Sequence, residues 1–575
     1  MKASDYIARF LEAQGVTYIF EMSGGMITHM LDSLHQLTKI DIVSMHHEQS
    51  ASFAADAYAR VTGVPGVAMA TSGPGATNLL TGIASCYFDS VPGVFITGQV
   101  NTFELKGDRA IRQLGFQETD IVSMARPVCK ACYEVRDALE LPQILEEAFQ
   151  VALAGRPGPV LIDIPMNVQR GDVPVPANGF QRIAREGVAA ELTPALLDDL
   201  AQALSAARKP LILVGRGVRA AFQVEAFRQF VELVQVPVVT SLLAVDALAY
   251  DNPLRVGYIG SYGNRWANMA LGHCDFILVL GARLDIRQTG ADTKYFKEGR
   301  TIYHVDCAPG EINNRVTGCQ ALVADLADFF AVANQYYTPA DFAARPEWTT
   351  ELRTLQIEWA DTKEQPGIAG INPNEFMHSL SRLGLGAGYV ADVGNHQQWA
   401  AQSLELTAKQ LFLTSAGLGS MGYALPAALG MCFATGRQPV VMIAGDGGFQ
   451  MNIQELQTIA HHKLPIKLVV LNNNCLGMIR QFQDSYFEGR YQSTYWGYSA
   501  PDFTKIADAY GIPALTVSEP DQLDKAAAWL WQDPQQPALL QVMIDTLVNC
   551  YPKLAFGRPI TEMEPFAKPL EMEGT

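Results

Sequence analysis

The sequence predicts an α/β protein with three doubly wound parallel-sheet domains, and three observations lead to this fold class. Short apolar runs of strand length alternate with helical patterns along nearly the whole chain, as in parallel sheets with helices on both faces. The chain has 575 residues, more than the roughly 250–300 at which single cores stop growing. Two stretches rich in proline, glycine and charge, 171–192 and 335–374, look like linkers. We therefore expect domains at 1–171, 192–335 and 374–555.

The composition limits the classes of function. Lys+Arg 42 against Asp+Glu 59 gives a net charge of −17, which argues against nucleic acid as a partner because phosphate binding needs concentrated positive charge. The first residues carry Asp5, Arg9 and Glu12 where a secretory signal needs an apolar run, and they predict an amphipathic helix instead. No window approaches the roughly 20 uncharged apolar residues of a membrane span. We expect a soluble, cytoplasmic protein.

The nine cysteines are an odd number without framework spacing, as is typical of thiols in a reducing compartment. Cys129 and Cys132 form a C-x-x-C in a strand-like stretch. Because no second pair accompanies them as a zinc site would require, we interpret them as two packed thiols.

In the first block, Glu48 follows a predicted strand and precedes an alanine-rich helix. A glutamate at a helix start is often only a capping acid. A carboxyl group in such a position can also share a proton with a cofactor, a role that requires burial and a raised pKa. The residue types alone leave both interpretations open.

The middle block opens with a strand that leads through Gly215-Arg216-Gly217 into a helix. This is how a doubly wound sheet presents backbone N–H groups to a ligand phosphate. The full G-x-G-x-x-G is missing, and such turns equally often only close a strand–helix corner.

The third block carries the strongest chemical signal. One apolar strand ends in Gly445-Asp446-Gly447, and the next ends in Asn472-Asn473. Glycine lets the backbone approach a diphosphate, Asp446 supplies an anionic oxygen and Asn473 a neutral one, which are ligands that Mg²⁺ or Ca²⁺ prefers. Because ligands sit at the carboxyl ends of parallel strands, we expect these groups to meet at one point.

This Gly-Asp-Gly and Asn-Asn arrangement resembles the cofactor motif of thiamin-diphosphate enzymes. The resemblance implies thiamin diphosphate held through a metal such as Mg²⁺, with Asp446, Asn473 and the carbonyl of Cys475 as metal ligands. It implies that Glu48 contacts the pyrimidine of the cofactor and promotes its activation. The other residues implied to contact the cofactor are Gly24, Gly25, Asn395, His396, Gly419, Met421, Gly445, Gly447 and Gly448.

Three of these positions also have ordinary structural explanations. Met421 is the hydrophobic wedge in the resemblance, although its segment is equally a glycine-rich turn before a buried helix. Asn395 and His396 would donate to the diphosphate, although a loop amide and imidazole satisfied within the protein would look the same in the sequence.

Over nearly the whole chain, the resemblance is closest to the catalytic subunit of acetohydroxyacid (acetolactate) synthase. It is carried by TSGPGATNLLTG at 71–82, RQLGFQETDIV at 112–122, GRPGPVLIDIP at 155–165 and GARLDIRQTG at 281–290. It implies decarboxylation of pyruvate and transfer of the two-carbon unit to a second carbonyl compound. Phe116 and Gln117 would lie beside the reacting carbons, and Arg287 would be an acceptor-side cation.

The same resemblance implies a second cofactor and an assembly. FAD would occupy the middle domain without a redox role, in contact with Gly215, Arg216, Gly217 and Arg283. The active site would lie between two chains, which makes a homodimer the minimum and is consistent with a homotetramer.

The sequence departs from the synthase pattern on the substrate side. Phe482 stands where the synthase has Trp, Met166-Asn167 replaces Lys-Asp, Ile286 replaces an Asp before Arg287, and Met22-Ser23 replaces Tyr-Pro. We therefore expect an acceptor other than pyruvate or 2-oxobutyrate, such as a ketone or keto sugar. The aromatic residues near position 496 would form a stacking wall for a sugar or would be buried packing: Tyr495, Trp496 and Tyr498.

Other functions remain open at this point. If the protein is an ordinary acetolactate synthase, the substitutions only adjust its substrate preference. If it is a pyruvate oxidase-like flavoenzyme, the flavin accepts electrons from the two-carbon intermediate. A plain decarboxylase would release an aldehyde. A non-catalytic scaffold would be expected to lack Glu48 or Asp446, and both are present.

Overall fold

A computed structural model describes residues 1–187 and 192–573. Within these ranges three six-stranded sheets follow one another along the chain, and every strand pair in them is parallel. Successive residues of one strand pack into different cores, Val440 and Met442 into one and Val441 and Ile443 into another, so both faces of that sheet are covered. The predicted α/β class with three doubly wound parallel sheets is confirmed.

The first sheet has the strand order β2-β1-β3-β4-β6-β5. Its strands are β1 (Tyr18–Met22), β2 (Asp41–Ser44), β3 (Gly66–Ala70), β4 (Gly93–Gln99), β5 (Ala131–Glu134) and β6 (Val160–Pro165). Its helices are α1 (Ala3–Ala13), α2 (Thr28–Leu37), α3 (Glu48–Thr62), α4 (Pro74–Asn78), α5 (Leu80–Phe88), α6 (Ile121–Ala125), α7 (Leu141–Leu153) and α8 (Met166–Gln169). The predicted N-terminal amphipathic helix is α1.

The second sheet has the order β12-β11-β10-β7-β8-β9, which is that of dinucleotide-binding folds, with the switch point between β7 and β10. Its strands are β7 (Pro210–Val214), β8 (Val238–Thr240), β9 (Arg255–Tyr258), β10 (Phe276–Leu280), β11 (Thr301–Asp306) and β12 (Gln320–Val323). Its helices are α9 (Pro194–Ala206), α10 (Gly217–Ala220), α11 (Val224–Val234), α12 (Arg265–His273), α13 (Ile286–Thr289), α14 (Thr293–Lys297), α15 (Leu326–Tyr336) and α16 (Pro346–Glu358).

The third sheet, β14-β13-β15-β16-β18-β17, repeats the strand order of the first. Its strands are β13 (Gly388–Ala391), β14 (Leu411–Thr414), β15 (Val440–Gly445), β16 (Ile466–Asn472), β17 (Ala514–Val517) and β18 (Ala538–Met543). Its helices are α17 (Pro373–Ser381), α18 (Asn395–Ser403), α19 (Ala424–Ala434), α20 (Asp446–Met451), α21 (Leu456–His462), α22 (Gly477–Tyr486), α23 (Phe503–Ala509) and α24 (Leu523–Leu530). An antiparallel pair follows, β19 (Lys553–Leu554) and β20 (Met563–Glu564).

Helices α3 and α19 join the first and third sheets through small residues. A Cβ atom on Gly430 would lie 2.1 Å from the carbonyl oxygen of Ala54, so only glycine permits this separation of the two backbones. The small side chains that follow Glu48 therefore allow α3 to pack closely against α19. The same helix carries Glu48, a predicted site residue, at its start.

The linker prediction for 335–374 is wrong in part. Residues 346–358 form α16, whose Trp348, Leu352 and Leu355 are buried against the core of the second sheet. Proline at the start of a helix is compatible with it, so the prolines that suggested a loop mark a boundary instead. In the other linker, 171–187 has no helix or strand, and 188–191 lie outside the described residues.

Two smaller predictions concern membranes and thiols. No helix among the described residues is long and apolar enough to cross a membrane. Cys129 and Cys132 lie half-buried at the start of β5 as free thiols, in agreement with the packed pair expected from the sequence.

Candidate active site

The predicted metal ligands come together at the carboxyl ends of β15 and β16. Asp446 begins α20, and Asn473 directly follows β16. The backbone N–H of Cys475 donates to Asp446 Oδ2 at 3.1 Å and approaches Asn473 Oδ1 at 3.2 Å, so both side-chain oxygens lie around the same amide. The two strands therefore deliver a carboxylate and an amide oxygen to one point, as the parallel topology requires.

Burial makes this point favourable for a cation. It raises the pKa of Asp446 to about 7, because a carboxylate loses its hydration there. The hydroxyl of Tyr498 lies beside the Gly-Asp-Gly turn and accepts from Gln450 Nε2 at 3.5 Å. No group of three or more His, Cys, Asp or Glu side chains in the described ranges is arranged for a metal. The oxygens that meet at this point are one carboxylate and one amide, both of which Mg²⁺ or Ca²⁺ accepts as ligands.

Asn395 and His396 lie at the start of α18, beside the same strand ends. Asn395 is 5% exposed, and neither its Oδ1 nor its Nδ2 has a hydrogen-bond partner among the described residues. A Cβ atom on Gly477 would meet the amide nitrogens of both Asn395 and Asn473 at 2.9 Å. Unsatisfied buried amides are costly, so this cradle fits a polar ligand such as a diphosphate and its metal.

His396 has a different environment from that of Asn395. Its Nε2 accepts a hydrogen bond from the Gly445 amide at 3.3 Å, and burial lowers its pKa to about 3. The ring is therefore neutral near pH 7 and satisfied within the protein, as in the structural alternative considered from the sequence.

The structure also places a residue here that the sequence analysis missed. Asp392, directly after β13, accepts hydrogen bonds from the amides of Val393, Gly422 and Ala424 at 2.8, 3.0 and 2.8 Å. A Cβ atom on Gly448 would lie 2.6 Å from its Oδ1. Asp392 thus holds the turn that carries Met421, and the signal in the sequence was an acidic residue at a strand end before Gly394-Asn395.

The turn before α19 presents Met421 to the metal ligands. Gly419 and Gly422 have φ of +71° and +82°, which favour glycine. The Met421 Cε lies 3.4 Å from where a Cβ on Gly447 would be. The predicted wedge residue is therefore next to the Gly-Asp-Gly turn.

Glu48 is the first residue of α3 and is half-buried in the single chain. Its Oε2 accepts a hydrogen bond from Asn78 Nδ2 at 2.9 Å, and its Oε1 lies 3.3 Å from the Cβ position of Gly75. The helix is capped by the side chain of His47, which accepts from the Gln49 amide, so Glu48 is not needed as the capping acid.

The other predicted residues of the first sheet lie at its switch point, between β1 and β3. Gly24 faces Thr71, because a Cβ atom on Gly24 would lie 2.5 Å from the Thr71 Cβ, whereas Gly25 has open space around it. Gln117 lies against Gly73, whose Cβ position is 3.0 Å from the Gln117 Cβ. Phe116 is 79% exposed in the single chain.

The loop that carries Gln117 is anchored by a buried network that the sequence did not reveal. Gln99 Nε2 donates to the Thr119 carbonyl and to Asp163 Oδ2, both at 2.9 Å. Burial raises the pKa of Asp163 to about 7. Gln117 itself has φ of +65°, which is an uncommon backbone conformation for residues other than glycine. The anchoring of the loop helps to maintain this conformation.

The predicted contacts of the middle domain line a cleft at the switch point of the second sheet. Gly215 and Gly217 pack directly on Gly281, and a Cβ on Gly217 would lie 2.6 Å from the Gly281 Cα. Arg216 donates to the Asp89 carbonyl at 2.5 Å, and Arg283 pairs with Asp285 at 3.0 Å. The cleft lining also includes Arg156, Arg287, Gly417, Leu418 and Gly419, so it extends toward Met421.

The predicted stacking residues do not share one environment. Tyr495 and Trp496 are exposed in the single chain, which contradicts the buried-packing alternative for these two. Tyr498 is half-buried, and its hydroxyl lies 3.4 Å from the Cβ position of Gly447, beside Asp446.

Comparison with known proteins agrees with this geometry. Three family models match the chain, each described as part of a thiamine pyrophosphate enzyme: the N-terminal TPP binding domain at 1–124, the central domain at 197–332 and the C-terminal TPP binding domain at 392–542. The large subunit of acetolactate synthase isozyme 2 from Escherichia coli is 37% identical over 565 residues, which cover 98% of this chain and 99% of that protein.

This chain belongs to the acetolactate synthase family of thiamine pyrophosphate enzymes. Further members that it resembles are the acetolactate synthase large subunit of Porphyra purpurea, 36% identical over 96% of this chain and 94% of that protein, and the probable large subunit of Methanocaldococcus jannaschii, 35% identical over 95% and 92%. The family resemblance noted in the sequence is thereby confirmed. The C-terminal TPP binding match begins at the buried Asp392 and includes both strand ends that carry the predicted metal ligands.

Proposed function

We propose that this protein decarboxylates pyruvate or a close 2-oxo acid and joins the resulting two-carbon unit to a second carbonyl compound. The observation that carries the proposal is that Asp446 and Asn473 converge with Asn395, whose buried amide has no partner among the described residues, in a chain of this family. When bound, thiamin diphosphate supplies the nucleophilic carbon and the electron sink for decarboxylation.

Each of the predicted site residues would have a defined role. Asp446, Asn473 and the Cys475 carbonyl would hold Mg²⁺, with Asn395, Gly445, Gly447 and Gly448 around the diphosphate. Met421 would support the cofactor from the side, and Gly24 and Gly25 would let the backbone of the first domain approach it. Glu48 would hold a proton at its carboxyl group facing the pyrimidine, and Phe116 and Gln117 would exclude water from the reacting carbons.

The assembly that we propose places Glu48 and Asp446 from different chains in one site, in a homodimer or homotetramer. Two groups of exposed apolar side chains support it, because monomers rarely leave such residues in solvent. The first group lies on the segment before and within α6: Phe103, Ile111, Leu114, Phe116 and Met124. The second lies beside the proposed metal ligands: Leu418, Met451, Ile479, Tyr495 and Trp496.

Two expectations from the sequence remain predictions. They are the domain limits, 1–171, 192–335 and 374–555, and the cytoplasmic location.

For the cleft of the second sheet we propose FAD, bound without a redox role. The support is the dinucleotide-binding strand order, the close glycine turns at 215–217 and 281, and several cationic side chains for phosphate groups. Arg216, Arg283 and Arg156 are among the cations that line the cleft.

Replacement of Arg283 by Gln is expected to weaken FAD binding about tenfold, because one charge-assisted contact to a phosphate would be lost. The measurement is the flavin content of purified protein and its affinity for added FAD. Arg353→Gln is the matched control, since Arg353 is exposed on α16 and does not line the cleft. Oxygen uptake driven by pyruvate would contradict the non-redox role and favour a pyruvate oxidase-like enzyme.

The acceptor is where we propose a difference from the ordinary synthase reaction. Phe482, on α22, packs against Tyr486 and Phe487 with ring centroids 4.7 and 5.9 Å away. This aromatic wall, together with the exposed Tyr495 and Trp496, supports a ketone or keto sugar as acceptor. The relatives are acetolactate synthases, which favours the second candidate, 2-acetolactate formation from pyruvate alone.

Incubation of purified protein with thiamin diphosphate, Mg²⁺, FAD and pyruvate tests both candidates. We expect CO₂ release to be accompanied by a ligated product only when a ketone or keto sugar is added. The product is identified by its mass. Acetolactate from pyruvate alone would favour the ordinary synthase, and free acetaldehyde would indicate a plain decarboxylase. No CO₂ release from any 2-oxo acid of a panel would contradict the proposed donor.

A further inference from the structure

The segment between β4 and α6, residues 100–120, carries Phe116 and Gln117, which the proposed function places beside the reacting carbons. Apart from one 3-10 turn at Thr102–Glu104, it contains no helix or strand. Backbone amides and carbonyls that are not paired in regular structure need other partners. The conformation of this segment, loop 100–120, therefore depends on side-chain partners.

Glu118 closes this loop on itself. Its Oε1 accepts from the Lys106 amide at 2.6 Å, and its Oε2 accepts from the Leu114 amide at 2.7 Å. Its backbone carbonyl accepts from Gln113 Nε2 at 3.0 Å, and its backbone amide donates to the Gly115 carbonyl at 3.1 Å. Hydrogen bonds from an amide to a carboxylate are stronger than those between neutral groups. Glu118 thus ties both limbs of the loop together.

Glu118 is also the main connection between the middle of the loop and the rest of the protein. Among the described residues, the hydrogen bonds that leave residues 106–114 end on Glu118, apart from one that Arg109 donates to the C-terminal end of the 3-10 turn. Packing does not replace these bonds in the single chain, because residues 107–114 are all exposed. A segment with few buried contacts depends on its hydrogen bonds for order.

The two ends of the loop are fixed by other residues. At its start, the Asn167 side chain exchanges two hydrogen bonds with Thr102, both at 2.9 Å. At its end, Gln99 holds the Thr119 carbonyl at 2.9 Å. Because these anchors lie at the ends, they do not fix the middle of the loop.

The loop brings Gln117 to the turn that lies beside Glu48. The Gln117 Cβ is 3.0 Å from the Cβ position of Gly73. Gly75 follows two residues later, at the start of α4, and its Cβ position is 3.3 Å from Glu48 Oε1. The conformation of the loop therefore sets the position of Gln117 relative to the proposed proton-sharing acid.

We propose that Glu118 is a positioning residue of the proposed reaction, because it holds Phe116 and Gln117 in place over the reacting carbons. The inference rests on the proposed two-carbon transfer. After the carboxylate of pyruvate leaves as CO₂, the carbon that carried it has two fates. It takes one proton from water, which gives acetaldehyde, or it forms a bond to the carbonyl carbon of the acceptor, whose oxygen takes the proton. A fixed loop keeps water away, so Glu118 favours the second fate.

Glu118→Gln tests the proposal, because it keeps the size of the side chain and replaces one acceptor oxygen by an NH₂ group that cannot accept a hydrogen bond. With pyruvate and a ketone acceptor, we expect the ratio of acetaldehyde to ligated product to rise about tenfold, as for loss of one charge-assisted hydrogen bond. The rate of CO₂ release should change much less, because Glu48 and the proposed metal ligands are unaltered. Both products are quantified in the same sample.

Hydrogen–deuterium exchange of the purified protein, with and without thiamin diphosphate and Mg²⁺, gives a second readout that does not depend on turnover. We expect the amides of residues 105–117 to exchange severalfold faster in Glu118→Gln than in the wild type, with β4 unchanged. Glu118→Asp keeps both acceptor oxygens on a shorter side chain. It should give intermediate values for the exchange and for the product ratio.

Asp275→Asn is the matched control. Asp275, just before β10, also joins two backbone amides through its carboxylate, those of Arg208 and Lys209, both at 2.8 Å. It lies outside the cleft lining that the structure describes and in another domain from Glu118. Its replacement should therefore leave the product ratio unchanged.

A product ratio in Glu118→Gln equal to that of the wild type would overturn the proposal, even with faster exchange in the loop, as would an equal rise in Asp275→Asn. If Glu118→Gln does not fold, the ratio measured for Glu118→Asp decides. The wild-type protein separates this from failure of the proposed function. If it ligates acceptors and the ratio responds to neither Glu118 substitution, only the role of Glu118 is wrong. If it ligates no acceptor at all, both proposals fail.

Discussion

Glu48→Gln is expected to reduce the rate of CO₂ release from pyruvate by about a thousandfold, within the range of 10²–10⁴ typical of a positioned acid–base group. The amide has the same shape and can still accept from Asn78, but it cannot hold the exchangeable proton that the proposed role requires. Affinity for thiamin diphosphate should change much less, because the metal ligands are on another domain. Turnover, cofactor affinity and hydrogen–deuterium exchange of the reactive cofactor carbon by NMR are the measurements.

Glu225→Gln is the control for this experiment. Glu225 is also a first-turn glutamate, on α11; its side chain is exposed, and among the described residues its one ion pair is with Arg228. Loss of a first-turn charge costs about 0.3–1 kcal/mol of stability and should leave turnover unchanged. If the Glu48 and Glu225 variants behave alike, Glu48 is a structural residue and the proposed chemistry of the first domain is wrong.

The parts of the site that lie at strand ends could be predicted from the sequence. Asp446 and Asn473 follow two apolar runs, and in a parallel sheet the carboxyl ends of neighbouring strands lie at one edge, so their meeting follows from local pattern and topology. The Gly215–Gly217 turn was found for the same reason. In each case the residue type, the strand and the direction of the chain are local features of the sequence.

The parts that depend on distant packing could not be predicted in this way. Lys553 follows the last long strand in a stretch without periodicity, and only the folding of residues 548–573 onto α22 brings it to Phe482 and Glu564. Asp163 looks like any polar residue in a buried strand until Gln99 is placed beside it. Helix α16 lies within the predicted linker because proline is favoured in the first turn of a helix as well as in loops, so Pro346 did not distinguish the two.

The second large effect concerns the assembly. Glu48→Gln and Asp446→Ala proteins should each be almost inactive alone, the second because it loses a charged metal ligand and with it Mg²⁺-dependent cofactor binding. Co-expressed in equal amounts, they should recover about a quarter of wild-type activity. With random pairing, a site formed between chains receives the intact Glu48 half the time and the intact Asp446 half the time.

A site contained within one chain would give no recovery, because every chain would carry one lesion. In the described residues no hydrogen bond joins Glu48 to Asp446: the first accepts from Asn78, and the second from the amides of Gly447 and Cys475. Co-expression of two differently tagged Glu48→Gln chains is the control and should remain inactive. Recovery in the mixed sample alone would mean that the exposed Phe116 and its neighbours face the metal ligands of another subunit.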